Sequence, residues 1–272
     1  MYGKLSGMSE AVARDSLAGF DHSGRVVLVT GGTKGVGRGI TDAFLAAGAT
    51  VVMTARHEPE APVAVDGVAA DFLPADVRDP DQVLELVQAV VAAHGRLDVA
   101  VNNAGGSPSV PAADAKPRFS QAIVNLNLMA PLHVGQAANA VMQEQDEGGS
   151  IINIGSVSGI RPSPGSAAYG AAKAGLVNLT QTLAMEWAPK VRVNMVTGGL
   201  IETEQSHLWY GDADGIAAVG ATVPLQRMGT PADIANACLF LASPLAGYVS
   251  GANLVVHGGG EPPTFLGASN AT

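Results

Sequence analysis

The sequence predicts one α/β domain: a doubly wound parallel sheet of seven strands with helices on both faces. Three observations predict it. Short apolar, β-branched runs alternate with longer helix-type patterns along most of the chain, and strands joined through crossover helices lie parallel. The runs are apolar at successive positions, as expected of strands covered on both faces. A glycine-rich turn joins the first strand to the first helix, where a sharp change of direction favours residues without a side chain.

The elements follow in order. Residues 1–22 are small, polar and irregular and read as a tail, leaving 23–272 as a single domain. Arg25–Thr30 is the first strand, and the helix pattern Ile40–Ala47 after the glycine turn stops at Gly48. Thr50–Ala55 is the second strand and Phe72–Ala75 the third. Asp79, Pro80 and Asp81 open an amphipathic helix that runs to about His94 and closes at Gly95. Leu97–Val101 is the fourth strand, Arg118–Gln145 a long helix, Ser150–Ile154 the fifth strand and Ser166–Trp187 another helix. Val191–Val196, the helix Pro231–Ala242 and the strand Asn253–Val256 complete the pattern. No repeat, low-complexity tract or linker divides it.

Composition excludes several function classes. The chain has 272 residues, 47% of them hydrophobic, enough for a sizeable core. Fifteen basic against 24 acidic residues leave a net charge of -9, which argues against nucleic acid and anionic membranes as partners. The single cysteine, Cys238, cannot form an internal disulfide. It sits in the apolar helix pattern Ala235–Phe240, so a buried structural thiol in a reducing compartment is expected. No apolar run is long enough to span a membrane or to act as a signal peptide, and a cytoplasmic location is expected. The six histidines do not pair with carboxylates at metal-ligand spacing, so no catalytic metal is expected.

The glycine turn reads Thr30-Gly31-Gly32-Thr33-Lys34-Gly35-Val36-Gly37. Glycines between a strand and a helix N-terminus let the backbone approach a pyrophosphate, and the helix start supplies free N–H donors. Gly31, Thr33, Lys34, Gly35, Val36 and Gly37 are therefore candidate binding residues for a dinucleotide, in a domain of the Rossmann type. NAD sites place an acidic residue after the second strand to accept from the ribose hydroxyls, but here the strand ends in Ala55-Arg56. A guanidinium cannot accept those bonds, whereas it can pair with a 2′-phosphate. Arg56 and Lys34 together favour NADP(H) over NAD(H); the alternative is that both are solvated surface charges. Asp76 and Val77 follow the third strand, where a carboxylate can meet the adenine amino group.

Further along stand Asn102-Asn103-Ala104-Gly105, Ser156, and Tyr169-Gly170-Ala171-Ala172-Lys173 thirteen residues after that serine. With the glycine turn, Val191-Arg192-Val193-Asn194 and Ser250-Gly251-Ala252-Asn253, these motifs resemble the short-chain dehydrogenase/reductase family in order and spacing, over about residues 24–260. The chemistry accounts for the residue types. Tyr169 and Lys173 are four apart and share a helix face. A free phenol, with a pKa near ~10, is a poor base at neutral pH; a neighbouring ammonium and an oxidised nicotinamide lower it. Tyr169 then gives a proton when a carbonyl is reduced, or takes one when an alcohol is oxidised. Ser156 hydrogen-bonds the substrate oxygen.

The resemblance implies that Lys173 also binds the nicotinamide ribose, and that Asn103, Ala104 and Gly105 line the adenosine and ribose side. It further implies an asparagine on the long helix that holds a proton-relaying water. Asn127 matches the pattern better than Asn125, which remains the alternative. Ile201 and Thr203 are expected to hold the nicotinamide amide and phosphates. Where the family commonly shows Pro-Gly, this chain has Gly198-Gly199, which predicts a looser backbone there. Homotetramers or dimers are implied as well.

Substrate selection is expected around residues 156–168 and 202–227. Trp209 and Tyr210 either wall an apolar pocket or pack onto the protein itself or a neighbouring subunit. His207 reads as a polar loop residue. Glycine-rich 211–220 reads as a mobile lid. The expected activity is NADPH-dependent reduction of a small-molecule carbonyl, a 3-oxoacyl thioester being one kind. The alternatives are oxidation of a secondary alcohol such as a sugar, polyol or steroid, and a dinucleotide sensor that no longer turns over.

Overall fold

A valine-rich strand buried on both faces nucleates the architecture. The computed structural model describes residues 20–268. Within them, β1 (Val26–Thr30) buries every side chain. Val27 and Val29 face one core and Val26 and Leu28 the other, the period-two alternation of a strand between two helical layers. Around it lie β2 (Thr50–Ala55), β3 (Asp71–Pro74), β4 (Val99–Asn102), β5 (Gly149–Ser156), β6 (Val191–Gly198) and β7 (Asn253–Val256). The seven strands run parallel in the order β3-β2-β1-β4-β5-β6-β7. That is a doubly wound sheet whose direction of growth reverses between β1 and β4, the switch point at which ligands bind such sheets.

One layer holds α1 (Gly35–Ala46) and a later helix, α6 (Pro231–Ala242), packed through Ile40, Phe44, Ile234, Cys238 and Leu241. The other holds α2 (Pro80–His94), the long helix α3 (residues 117–144) and α4 (Ala167–Glu186), packed through Val83, Val87, Val134, Met142 and Leu183. Gly39 lets the first layer close up, because a Cβ there would lie 2.4 Å from Pro231. Caps set several ends. The Asp79 carboxylate accepts from the Asp81 and Gln82 N–H groups, and Gly95 closes α2 in the left-handed region at φ 77°. Thr230 and Asp233 form a reciprocal capping box on α6.

The structure revises some sequence expectations. The stretch 1–19 of the tail lies outside the described residues, but His22 belongs to the fold. The His22 ring is buried edge-on against Phe44 at 5.1 Å, and the His22 main-chain N–H donates to Ala47 O at 2.8 Å. Helix α1 begins at Gly35 rather than Ile40, because Gly37 and Gly39, which look like loop residues in the sequence, lie within the helix. A short hairpin, Ala64–Val65 with Val68–Ala69, precedes β3. The stretch predicted as a glycine-rich lid contains α5 (Ala213–Ala221), capped by the Asp212 side chain on Gly215 N–H.

Candidate active site

The glycine turn lies at the switch point. Gly31 and Gly35 adopt φ 64° and 54°, conformations that L side chains seldom accept. Gly37 has no room for more: a Cβ would stand 2.1 Å from Gly31 O and 2.4 Å from Asn103 Nδ2. Asn103 braces this turn, its amide donating to Thr30 O at 2.9 Å and Gly31 O at 3.2 Å. The N–H groups of Asn103 and Ala104 both donate to Thr30 Oγ1 at 3.0 Å. The Asn103 amide thus helps to shape the cradle. Thr33 is half-buried and Lys34, whose side chain makes no capping bond, is exposed at the start of α1.

The sheet edge places the remaining cofactor candidates. Arg56 is exposed just past β2, and among the described residues neither it nor Lys34 belongs to an ion pair. The Asp76 carboxylate is held by Arg78, which keeps it below its ordinary range; Val77 is a core side chain. Arg78 takes part of the acceptor capacity of the Asp76 carboxylate and leaves the rest partly exposed past β3.

Four residues converge beyond the ends of β4 and β5. Asn127 is fully buried where α3 widens: its α-helical turns Pro117–Val124 and Ala130–Glu144 flank a π-helical segment, Asn125–Met129. Such insertions free a carbonyl and recur at functional sites. Here Asn127 Nδ2 donates to Ile123 O at 2.9 Å and Gly106 O at 3.0 Å, while Oδ1 accepts from Gly106 N–H at 2.8 Å. Asn125 instead accepts from Gln121 on the same helix. Of the two asparagines, Asn127 is the one the fold turns inward. Both amide hydrogens are used, so only acceptor capacity on Oδ1 remains for a water.

Lys173 is buried, and its ammonium donates to Ile154 O at 2.7 Å. Burial pushes its pKa down to about 8. Gly105 lies between these groups: a Cβ there would be 2.7 Å from Asn127 Oδ1 and 3.4 Å from Lys173 Nζ. The Lys173 ammonium is 5.8 Å from the centre of the Tyr169 ring. Ser156 ends β5, and the turn Val157–Gly159 after it packs on the first turns of α4. A Cβ on Gly159 would meet Lys173 backbone at 2.7 Å, and one on Gly170 would meet Ser158 O at 2.7 Å. This close approach brings Ser156 beside Tyr169.

Burial pushes the Tyr169 phenol above its ordinary value, and hydrogen bonding with the Ser156 side chain opposes this. Desolvation of a phenolate outweighs the help available from the protein. A depressed phenol needs positive charge beyond what the chain supplies.

Ile201 and Thr203 lie on a well-tied segment. Ile201 bridges to Gly229, Glu202 N–H donates to Gly229 O, and Gly229 N–H donates to Leu200 O. A Cβ on Gly35 would be 3.7 Å from the Thr203 methyl, and Glu204 Oε1 accepts from Gly35 N–H at 3.0 Å. The predicted looseness at Gly198 is absent: Gly198 ends β6 paired with Ser156 of β5 on one side and Val256 of β7 on the other. Gly199 N–H donates to Val256 O, and its missing Cβ makes room for His257.

A cavity of about 260 Å³ opens next to Ser156, lined by Val157, Ile160, Arg161, Leu200, Val223 and Glu261 among others. The predicted segment 156–168 contributes, as does Val223, but Trp209 and Tyr210 are not among the lining residues. The stretch 257–261 was missed, because nothing in its composition shows that the chain returns to the site after β7. The buried relay Asn102–Asn153–Thr180, with bonds of 2.9 Å at both steps, was missed for the same reason. Among the described residues no three His, Cys, Asp or Glu side chains gather as a metal site, and no helix is long and apolar enough to cross a membrane.

Known proteins are similar to this chain over most of its length. A protein-family model described as Enoyl-(Acyl carrier protein) reductase matches residues 31–261. The 3-oxoacyl-[acyl-carrier-protein] reductase FabG of Thermotoga maritima is 36% identical over 242 residues, covering 87% of this chain and 97% of that protein. A 3alpha-hydroxysteroid dehydrogenase of Mediterraneibacter gnavus is 36% identical over 242 residues, covering 86% and 96% respectively. The ligand-free aldohexose dehydrogenase of Thermoplasma acidophilum superimposes with a TM-score of 0.81 at 30% identity, covering 88% of this chain and 94% of that one. Similarity of this extent, over the same residues that build the crevice, shows that the chain belongs to the short-chain dehydrogenase/reductase family of oxidoreductases.

Proposed function

We propose that the chain is an NADPH-dependent carbonyl reductase in which Tyr169 is the proton donor. The observation that carries this reading is one chain of contacts, with Ser156 on Tyr169, Tyr169 beside Lys173, and Lys173 and Asn127 on either side of Gly105. The cradle fits a dinucleotide: Gly31 and Gly35 have the backbone that close approach requires, and α1 presents its N-terminus at the switch point. Gly31, Thr33, Gly35, Val36 and Gly37 would hold the pyrophosphate side, and Lys34 and Arg56 the 2′-phosphate. Ile201 and Thr203 would hold the nicotinamide side. When bound, NADP(H) supplies or accepts the hydride and, once oxidised, carries a positive ring.

The chain's own residues handle the proton and the developing charge. Ser156 hydrogen-bonds the carbonyl oxygen, which makes its carbon more electrophilic. Tyr169 O–H donates to the same oxygen as negative charge builds there. The Lys173 ammonium stabilises the phenolate left behind, and Asn127 fixes Gly105–Gly106 against that ammonium. The relatives act, by name, on an oxoacyl thioester, a steroid and an aldohexose. Those substrates share only a C=O or CH–OH group, and the reading stops at that group. A homo-oligomer in the cytosol completes it, supported by the apolar Tyr248 and Leu254 left at the surface near β7.

The test is NADPH oxidation over a panel of ketones and aldehydes, with Tyr169→Phe as control. Turnover should fall at least about 100-fold in the variant, with NADPH binding kept. NADPH binding without oxidation across the panel would instead identify a sensor.

A further inference from the structure

The cavity beside Ser156 has a mixed wall. Val157, Ile160, Leu200 and Val223 are its apolar side chains, and Arg161, His257 and Glu261 its polar ones. At about 260 Å³ it is smaller than most cavities that hold drug-sized ligands. Its occupant is short, and Arg161, five residues past Ser156, lines the same space.

Arg161 is held in place by the protein. One guanidinium nitrogen donates to Pro162 O at 2.9 Å and another to Glu261 Oε1 at 2.5 Å. Its loop is clamped from several sides. Ser158 and Ser163 share a hydroxyl bond at 3.1 Å, Ser166 Oγ donates to Ser163 O, and Val110 N–H donates to Gly165 O. Gly165 has φ 81°, and a Cβ there would strike Ser109 Oγ at 2.4 Å. A guanidinium has five N–H donors, so these two bonds leave donors to spare. Preorganisation of this kind lowers the entropy lost when a partner binds.

Glu261 shows which chemistry that fork accepts. It comes from 100 positions along the chain, just past Gly258, Gly259 and Gly260, all three at positive φ. Its carboxylate and the Arg161 side chain are each about a third exposed, at 33% and 35%, so solvent and solutes reach the pair. Tyr210 lies near both: burial raises its phenol, Glu261 raises it further and Arg161 opposes. Tyr210 is therefore a neutral hydroxyl beside a carboxylate-binding cation.

Resting on the reductase reading, we infer that Arg161 is a specificity-determining residue that takes the carboxylate of a short oxo acid. Glu261 seats the guanidinium until the incoming carboxylate replaces it. The carbonyl carbon gains the hydride of NADPH and its oxygen the Tyr169 proton, giving a hydroxy acid. The acid group makes and breaks no covalent bond.

The test compares 4-oxopentanoate with its methyl ester, which share a carbonyl and differ in charge. The wild-type protein should prefer the acid in kcat/KM. In Arg161→Gln the acid-to-ester ratio should fall about tenfold or more, chiefly through KM, as expected when a charge-assisted bond is lost. Arg161→Lys, which keeps the charge without the fork, should give an intermediate ratio. It also serves if the glutamine variant does not fold. Glu261→Gln should lower the KM for the acid. A wild-type preference for the ester, or a ratio unchanged in the Arg161 variants, overturns the inference while the reductase reading stands. If no carbonyl is reduced at all, that reading fails, and calorimetric titration of 4-oxopentanoate still decides: binding lost in Arg161→Gln supports the site, and equal or absent binding overturns it.

Discussion

The Lys173 ammonium donates to the main-chain carbonyl of Ile154 at 2.7 Å, two residues ahead of Ser156. This bond ties α4 to the end of β5 and buries a charge in doing so. Burial brings the Lys173 pKa from 10.5 down to about 8. Below pH 8 the folded and unfolded chains both carry the proton, and the full cost of burial is present. Between about 8 and 10.5 the unfolded chain keeps a proton that the folded chain releases, so stability rises with pH across that window. Lys173→Met should therefore be more stable than wild type at pH 7, by about 1–3 kcal/mol, with the gain shrinking by pH 10. It should also lose turnover. Denaturant unfolding at the two pH values checks this, and a variant less stable at pH 7 contradicts it.

Arg56 stands exposed past β2, free of ion pairs among the described residues. Arg56→Asp replaces a phosphate partner by an acceptor suited to ribose hydroxyls. The NADPH-to-NADH ratio of kcat/KM should fall by about 10–100-fold. An unchanged ratio removes Arg56 from the cofactor site.

Glu204 Oε1 accepts from Gly35 N–H at 3.0 Å, one of the donors a pyrophosphate would use at the start of α1. The carboxylate competes for that donor and repels the phosphates as well. Glu204→Ala should tighten NADPH binding by about 2–10-fold, read by fluorescence titration. Weaker binding in the variant would mean that Glu204 supports the cradle instead.

His22 is buried without a side-chain hydrogen-bond partner, and burial, followed by the nearby Arg25, lowers its pKa. Above its ordinary value of 6.5 the ring is neutral in both folded and unfolded chains. As pH falls through that value the unfolded chain takes up a proton that the folded chain refuses, and stability is lost. Between pH 7 and pH 5 the melting temperature of wild type should drop by about 2–4 °C more than that of His22→Leu. Equal drops would show that the ring carries its charge inside the fold.

Much of the site was legible because its signals are local. The glycine turn, the four-residue spacing of Tyr169 and Lys173, and Ser156 at a strand end each reflect chemistry that neighbouring residues express together. Asn127 was harder, since helical spacing does not distinguish it from Asn125. Only the widened turn at Asn125–Met129 points one amide at Gly106 and leaves the other on the helix surface. In the 211–220 stretch the glycines hide a helix that Asp212 caps.

By itself the sequence determined the alternation of strands and helices, the two buried faces of the central strands and the candidates for the acid–base set, because hydrophobic period and residue chemistry act over a few positions. Tertiary structure alone decided the electrostatics and the walls of the cavity. The direction of the Tyr169 shift depends on how completely the phenol leaves water. The Arg161–Glu261 pair depends on two segments 100 residues apart meeting across one cleft. Desolvation and long-range contact are properties of the packed chain, and no pattern along it encodes them locally.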